Sequence, residues 1–130
     1  MALWETGRGT GDYTPSGTPP KESTITSSII RSLKEYMKNG LNVKTPFVRK
    51  IHGGGFSRAG LPDIYVQYNG AAIWIEVKRP GADTTELQKD TLEMLAENGA
   101  YVGVAHSADE AVRLLKEVHI LLATRNKTLR

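Results

Sequence analysis

"GLPDIYVQYNGAAIWIEVKRP", residues 60–80, decides the fold. At its centre stands Asn69-Gly70 between two runs of β-forming residues. A type I′ hairpin turn needs positive φ at both central positions, which asparagine and glycine supply most readily. With those two residues as the loop, Tyr68 pairs with Ala71, Val66 with Ile73, Ile64 with Ile75 and Asp63 with Glu76. Side chains alternate between faces along a strand. One face therefore carries Ile64, Val66, Ile73, Ile75 and Val77, and is core. The other carries Asp63, Tyr65, Gln67, Trp74, Glu76 and Lys78, a mixture that reads as a site rather than a packing surface.

The two acids need a reason to face each other. Like charges directly opposite on a sheet are destabilising, and opposed residues hold their Cβ atoms roughly 5 Å apart. Across that gap two carboxylates can grip one divalent cation. Lys78, two residues beyond Glu76, falls on the same face. A hard cation lowers the pKa of a bound water and neutralises charge on phosphate oxygens. A neighbouring ammonium can orient or deprotonate the attacking water, or stabilise the transition state. Acid, acid and lysine in this register point to phosphodiester hydrolysis.

Outward from the hairpin, periodicity predicts the remaining elements. Ile25, Ile29, Ile30, Leu33, Tyr36 and Met37 recur at helical spacing, so a first helix is expected from about Pro19-Pro20 to Asn39, stopped by Gly40. A strand follows around Phe47–Ile51, then the glycine-rich "HGGGFSRAG" at 52–60. A second helix is expected after Asp83, with Glu86 three residues on as its capping partner, ending at Asn98-Gly99. "AYVGVA" at 100–105 is a short buried strand, and Ser107 with Glu110 caps a third helix through Leu114, Leu115 and Val118. The order α-β-β-β-α-β-α predicts a mixed sheet flanked by helices.

The totals bound the alternatives. The chain's 130 residues suffice for one domain with a real core. No apolar run is long enough to cross a membrane, and no signal-peptide pattern opens the chain. The absence of cysteine excludes a disulfide framework and a thiolate metal site, and points to an intracellular protein. Three scattered histidines make a poor zinc set, and His106, after the last strand, reads as structural. A formal charge of +3 permits nucleic-acid binding.

"PD" at 62–63 followed by "EVK" at 76–78 resembles the PD-(D/E)xK nuclease superfamily. The surrounding "GGGFSRAGLPDIYV" and "WIEVKRPGADTTELQ" are similar to its VRR-NUC branch, the virus-type replication-repair nucleases, over about residues 20–118. The resemblance implies an α/β fold with a restriction-endonuclease-like core, α-β-β-β-α-β plus a C-terminal helix; the nuclease domain is expected over 19–124, between a tail rich in Gly, Thr and Pro that reads as irregular (1–18) and a basic one (125–130). It implies Mg²⁺ or Mn²⁺ held by Asp63, Glu76 and the Val77 carbonyl, with catalytic weight on Lys78 and Gln88. It also implies an acid from the first helix, for which Glu22 is the best match. Small stand-alone members that this chain resembles come from phages and act as homodimers on branched DNA such as four-way (Holliday) junctions, whereas larger members bear the same module at the end of a DNA repair protein. The expected setting is then the cytoplasm of a bacterial host. No nucleotide cofactor is expected, because no helix of the right pattern follows the glycine run.

Plainer readings stand beside several of these residues. A first-turn glutamine such as Gln88 is ordinary helix surface. Glu22 falls on the inward stripe of the first helix, yet helix starts favour acids through the dipole. Gly53–Gly55 reads either as a flexible connector or as backbone approaching a phosphate at Gly54, with Arg58 and His52 supplying charge. Arg79 and Lys89 flank the acids and are further candidates for DNA contact, with Arg49 and Lys50 close in sequence. Trp4, Tyr13, Leu121 and Leu122, not clearly spent on the core, are candidates for a dimer interface. Rival functions are a monomeric flap or nicking nuclease and a DNA-binding module without turnover.

Overall fold

The Asn69-Gly70 turn forms as the dipeptide requires, with φ at +47° and +83°. From it follows the predicted register: Tyr68 opposite Ala71, Val66 opposite Ile73 and Ile64 opposite Ile75. The computed structural model describes residue 18 and residues 20–51 and 60–129. Trp4, Tyr13, His52, Gly54 and Arg58 lie outside the described residues.

Among the described residues seven elements appear in the expected order: α1 (Glu22–Asn39), β1 (Phe47–Lys50), β2 (Ile64–Tyr68), β3 (Ala71–Val77), α2 (Glu86–Glu97), β4 (Tyr101–Ala105) and α3 (Ala108–Leu129). The sheet order is β1-β2-β3-β4. The first two pairings are antiparallel and the last is parallel, so the sheet is mixed. A parallel pair needs a crossover, and α2 provides it. No helix among the described residues is long and apolar enough to cross a membrane.

The face bearing Ile64, Val66, Ile73, Ile75 and Val77 is buried under α1 and α3. Helix α1 contributes Ile25, Ile29, Leu33 and Met37, and α3 contributes Ala111, Leu114, Leu115, Val118 and Leu122. Burying each larger side chain of this kind is worth roughly 1.5–3 kcal/mol. Helix α3 comes close to the sheet at Gly103, where an added Cβ would stand 2.7 Å from Leu114 Cδ1.

Four expectations need correction. First, the face opposite the core is not wholly a site: Val102 and Val104 pack with Leu92 of α2, and Ala72 and Trp74 of β3 join them. A parallel strand delivered by α2 must bury that helix's apolar side somewhere, and this half-face takes it. Second, α2 is capped by Thr85 and Gln88, not by Asp83 and Glu86. Thr85 Oγ1 accepts from the Gln88 N–H (3.1 Å), and Gln88 Oε1 accepts from the Thr85 N–H (2.9 Å). "DTTELQ" contains two chemically competent cap pairs, and only the later one lets both bonds close. Third, Leu121 and Leu122, held back as interface candidates, both lie inside α3, and Leu122 is spent on the core. Fourth, α1 opens at Glu22, past Pro20, with Lys21 as the N-cap residue.

His106 is buried, with Nδ1 2.9 Å from Glu110 Oε1 and Nε2 3.4 Å from the Ala82 carbonyl. Ser107 Oγ accepts from the Glu110 N–H as expected, while the Glu110 carboxylate returns to the His106 N–H, one residue short of a full box.

Candidate metal centre

Three acids reach one place from three elements. Glu22 is the first residue of α1, Asp63 immediately precedes β2, and Glu76 is the next-to-last residue of β3. Each offers a carboxylate oxygen, and these atoms lie within 4.8 Å of one another. The hairpin register carries the Asp63–Glu76 pair; Glu22 joins only through the packing of α1.

Each acid is held differently. Asp63 Oδ2 accepts from the Val77 N–H at 2.8 Å, while the Asp63 carbonyl accepts from the Ile51 N–H at 2.7 Å. Asp63 is thereby fixed between the end of β3 and the exit of β1, and the Val77 peptide borders the site. Glu76 is 2 % exposed. Its Oε2 accepts from Gln88 Nε2 at 3.1 Å and faces Lys78 Nζ at 3.7 Å. Its Oε1 is buried and has no hydrogen-bond partner among the described residues. Glu22 is solvent-exposed, at a helix start where the dipole favours negative charge.

Burial, above all, pushes the Glu76 carboxyl up to about 8 from its usual 4.5; the neighbouring carboxylates of Asp63 and Glu22 add to the rise, and Lys78 opposes it. One ammonium does not balance three carboxylates. A buried carboxylate oxygen without a donor is costly, and one beside two further acids asks for a proton or a cation. Oxygen donors clustered at this spacing suit a hard divalent ion. On that test Glu22, Asp63 and Glu76 fit a hard divalent cation.

The other predicted residues divide. Lys78 is in place, with its side chain 12 % exposed and its backbone N–H bonded to the Ala105 carbonyl at 3.1 Å. Gln88 is satisfied at both ends of its amide: Oε1 closes the α2 cap, and Nε2 holds Glu76. Arg79, expected at DNA, donates from Nε to the Pro20 carbonyl at 3.2 Å. That bond tethers the chain two residues before Glu22, so Arg79 helps bring the third acid in. Lys89 is half-buried, one residue beyond Gln88 in the first turn of α2. Sequence reasoning missed the Val77 N–H on Asp63 and the Arg79–Pro20 tether. Each joins a side chain to a backbone group far away in the fold, and a backbone partner leaves no mark in the side-chain pattern.

A mixed α/β sheet with two acids and a lysine at the ends of adjacent central strands agrees with the resemblance to PD-(D/E)xK nucleases read from the sequence. The VRR-NUC domain model matches residues 47–109, which hold Asp63, Glu76, Val77, Lys78 and Gln88 but not Glu22. Two solved structures share the fold. One, described as a "VRR_NUC domain protein", is 20% identical with a TM-score of 0.59, over 76% of this chain and 88% of that one. The other, a "VRR_NUC domain", is 24% identical with a TM-score of 0.54, over 73% of this chain and 94% of that one. No curated protein sequence matches the chain. The chain therefore carries a VRR-NUC domain, a nuclease-type domain, which implies DNA as substrate.

Proposed function

We propose that this chain is a metal-dependent endodeoxyribonuclease that hydrolyses phosphodiesters in branched DNA, four-way junctions above all, and works as a homodimer inside the cell. One observation carries the chemistry: three carboxylates within 4.8 Å of one another, one of them buried with an unpartnered oxygen, beside a lysine ammonium. The dimer and the junction rest on the family resemblance and on symmetry. A four-way junction takes two related cuts, and a C₂ pair of identical sites supplies them.

Mg²⁺ or Mn²⁺ would be held by Glu22, Asp63 and Glu76, with the Val77 carbonyl as a fourth ligand. When bound, such an ion lowers the pKa of a water and offsets charge on the phosphate. The protein's own groups do the rest. The Val77 N–H and the Gln88 amide hold Asp63 and Glu76 in place, so that they need not reorganise. Lys78 stands beside Glu76, where its ammonium can steady the attacking water or the developing negative charge.

The deciding experiment incubates the full chain with Mg²⁺ or Mn²⁺ on four-way, flap, nicked and linear DNA, with Asp63→Asn as control and size measured in solution. Metal-dependent, paired incision of the junction by a dimer is the expected result. A monomer that cuts flaps best would replace the junction reading with a flap nuclease. Binding without any incision would leave a DNA-binding module.

A further inference from the structure

The register places Phe47 beside Gln67, Arg49 beside Tyr65, and Tyr65 beside Trp74, all on the face that carries the acids. Helix α2 packs on β4 and reaches Ala72 and Trp74 of β3. Among the described residues no helix packs on the half of the face formed by β1 and β2. Phe47 is 44% exposed, Arg49 and Gln67 are exposed, and Tyr65 is half-buried. Three rings thus form a row across three strands. The Tyr65 and Trp74 centroids are 4.8 Å apart at 60°, and those of Phe47 and Tyr65 are 6.2 Å apart at 81°.

Two features say what this surface meets. Among the described residues of β1 and β2 this half-face holds a cation and no acid: the Arg49 guanidinium lies over the Phe47 ring, 4.3 Å from its centroid. The row also adjoins the acid cluster. Tyr65 is two residues after Asp63 and Trp74 two before Glu76, one pleat repeat of roughly 6.6 Å along each strand. A phosphodiester seated at the acids therefore has its neighbouring nucleotides over these rings. Bases inside an intact duplex have no free face to offer, whereas unpaired bases stack on aromatic side chains and on guanidinium planes.

We propose that Phe47, Arg49, Tyr65 and Trp74 form a stacking platform for unpaired nucleobases flanking the phosphate held at the acid cluster. The inference rests on the nuclease reading for its placement and deepens it. The site selects DNA whose strands are open next to the cut, at a junction core, a flap base or a bubble, through base stacking as well as through backbone charge.

The test separates bases from phosphates and does not depend on cleavage. In the full chain carrying Trp4→Phe, Trp74 is the only tryptophan left of two. Its fluorescence is followed in EDTA during titration with oligothymidine and with an abasic oligonucleotide of the same length and charge. Stacking predicts quenching by oligothymidine and roughly 5- to 100-fold tighter binding than of the abasic strand. Phe47→Ala, and Tyr65→Leu, which keeps bulk and removes the ring, should each erase most of that difference and leave abasic affinity unchanged. Circular dichroism and melting confirm that each variant is folded. Equal affinity for the two oligonucleotides overturns the platform, and so does a difference that survives in both variants. A Phe47→Ala protein that turns from dimer to monomer with base preference intact overturns it as well, and assigns the surface to a second copy of the chain. Cleavage without base preference would sink the platform alone; base preference without cleavage by any divalent ion would sink the nuclease alone.

Discussion

Glu76 and Val77 are neighbours on β3, both almost wholly withdrawn from water, and they do opposite things. Val77 is 0% exposed and points into the apolar face packed by α1 and α3. Glu76 is 2% exposed and points the other way, among like charges, with one oxygen unpartnered. The first kind of burial stabilises the fold by roughly the area it removes from water. The second destabilises it until something positive arrives. A strand that alternates sides has put the cost of function one residue away from the source of stability.

The widest separation of the two faces comes from a matched pair of substitutions. Glu76→Gln or Asp63→Asn should abolish cleavage while DNA binding survives, and the metal-free melting temperature should hold or rise, because acid–acid repulsion is relieved. Leu33→Ala, on the other face, should lower stability by about 2–5 kcal/mol and leave turnover per folded molecule intact. Turnover and melting measured on the same samples check both; near-normal cleavage by either acid variant would remove that residue from the metal set.

A narrower cut distinguishes ligands from helpers on the site face. Lys78→Ala should reduce turnover by roughly 10²–10⁴-fold, with divalent-ion affinity measured by calorimetry little changed. Collapse of metal binding would mean that the lysine supports the ligands instead of the reaction. Gln88→Ala should cost less, roughly 10–100-fold in metal affinity or activity, because it holds Glu76 through one amide hydrogen bond. Its loss also opens the α2 cap, worth about 1 kcal/mol, so Gln88→Glu, which keeps the cap acceptor and loses the donor to Glu76, isolates the site effect.

The smallest effect is a slope. Glu76 is raised from 4.5 to about 8, so in metal-free protein the folded state keeps a proton that the unfolded state has released between those values. Stability from this group is therefore fully present below about pH 4.5 and falls as pH rises towards 8. Melting in EDTA across that window should show the decline, and Glu76→Gln should flatten it. Metal affinity should rise over the same range, since binding displaces the proton. A Gln variant that keeps the wild-type slope would assign it to another group.

Much of this could be read before any coordinates. Asn69-Gly70 sets the hairpin register, and with it the facing of Asp63 and Glu76, because a two-residue turn leaves no freedom to slip. Helix α1's apolar stripe shows at 3.6-residue spacing, and Ile25, Ile29, Leu33 and Met37 are core as expected. Phe47 escaped notice as a neighbour of Tyr65 because β1 and β2 are joined by 13 residues (51–63), which fix no register. The half-face given wholly to the site turned out to be shared with α2, since Trp74 can serve packing and site alike. Thr85 lost to Asp83 because both precede a glutamate or glutamine by three, and only tertiary position selects between them. Glu22 shares the spacing of the apolar stripe, yet at the first position of α1 it is exposed rather than inward; its arrival at the other two acids depends on the docking of α1.

The two-residue turn also bears on folding kinetics. A hairpin closes in roughly 1–10 μs, whereas pairing β3 with β4 waits for α2 and docking α1 closes longer loops. Asp63 and Glu76 are thus opposed early, while Glu22 and Gln88 are still far away in an unfolded chain. If the transition state already contains the hairpin, Mg²⁺ or Mn²⁺ will speed refolding as well as slow unfolding, because two of the three acids are in position to meet the ion. Chevron plots with and without the ion show which arm moves. A shift confined to the unfolding arm would mean that the cation is recognised only after the last helix docks.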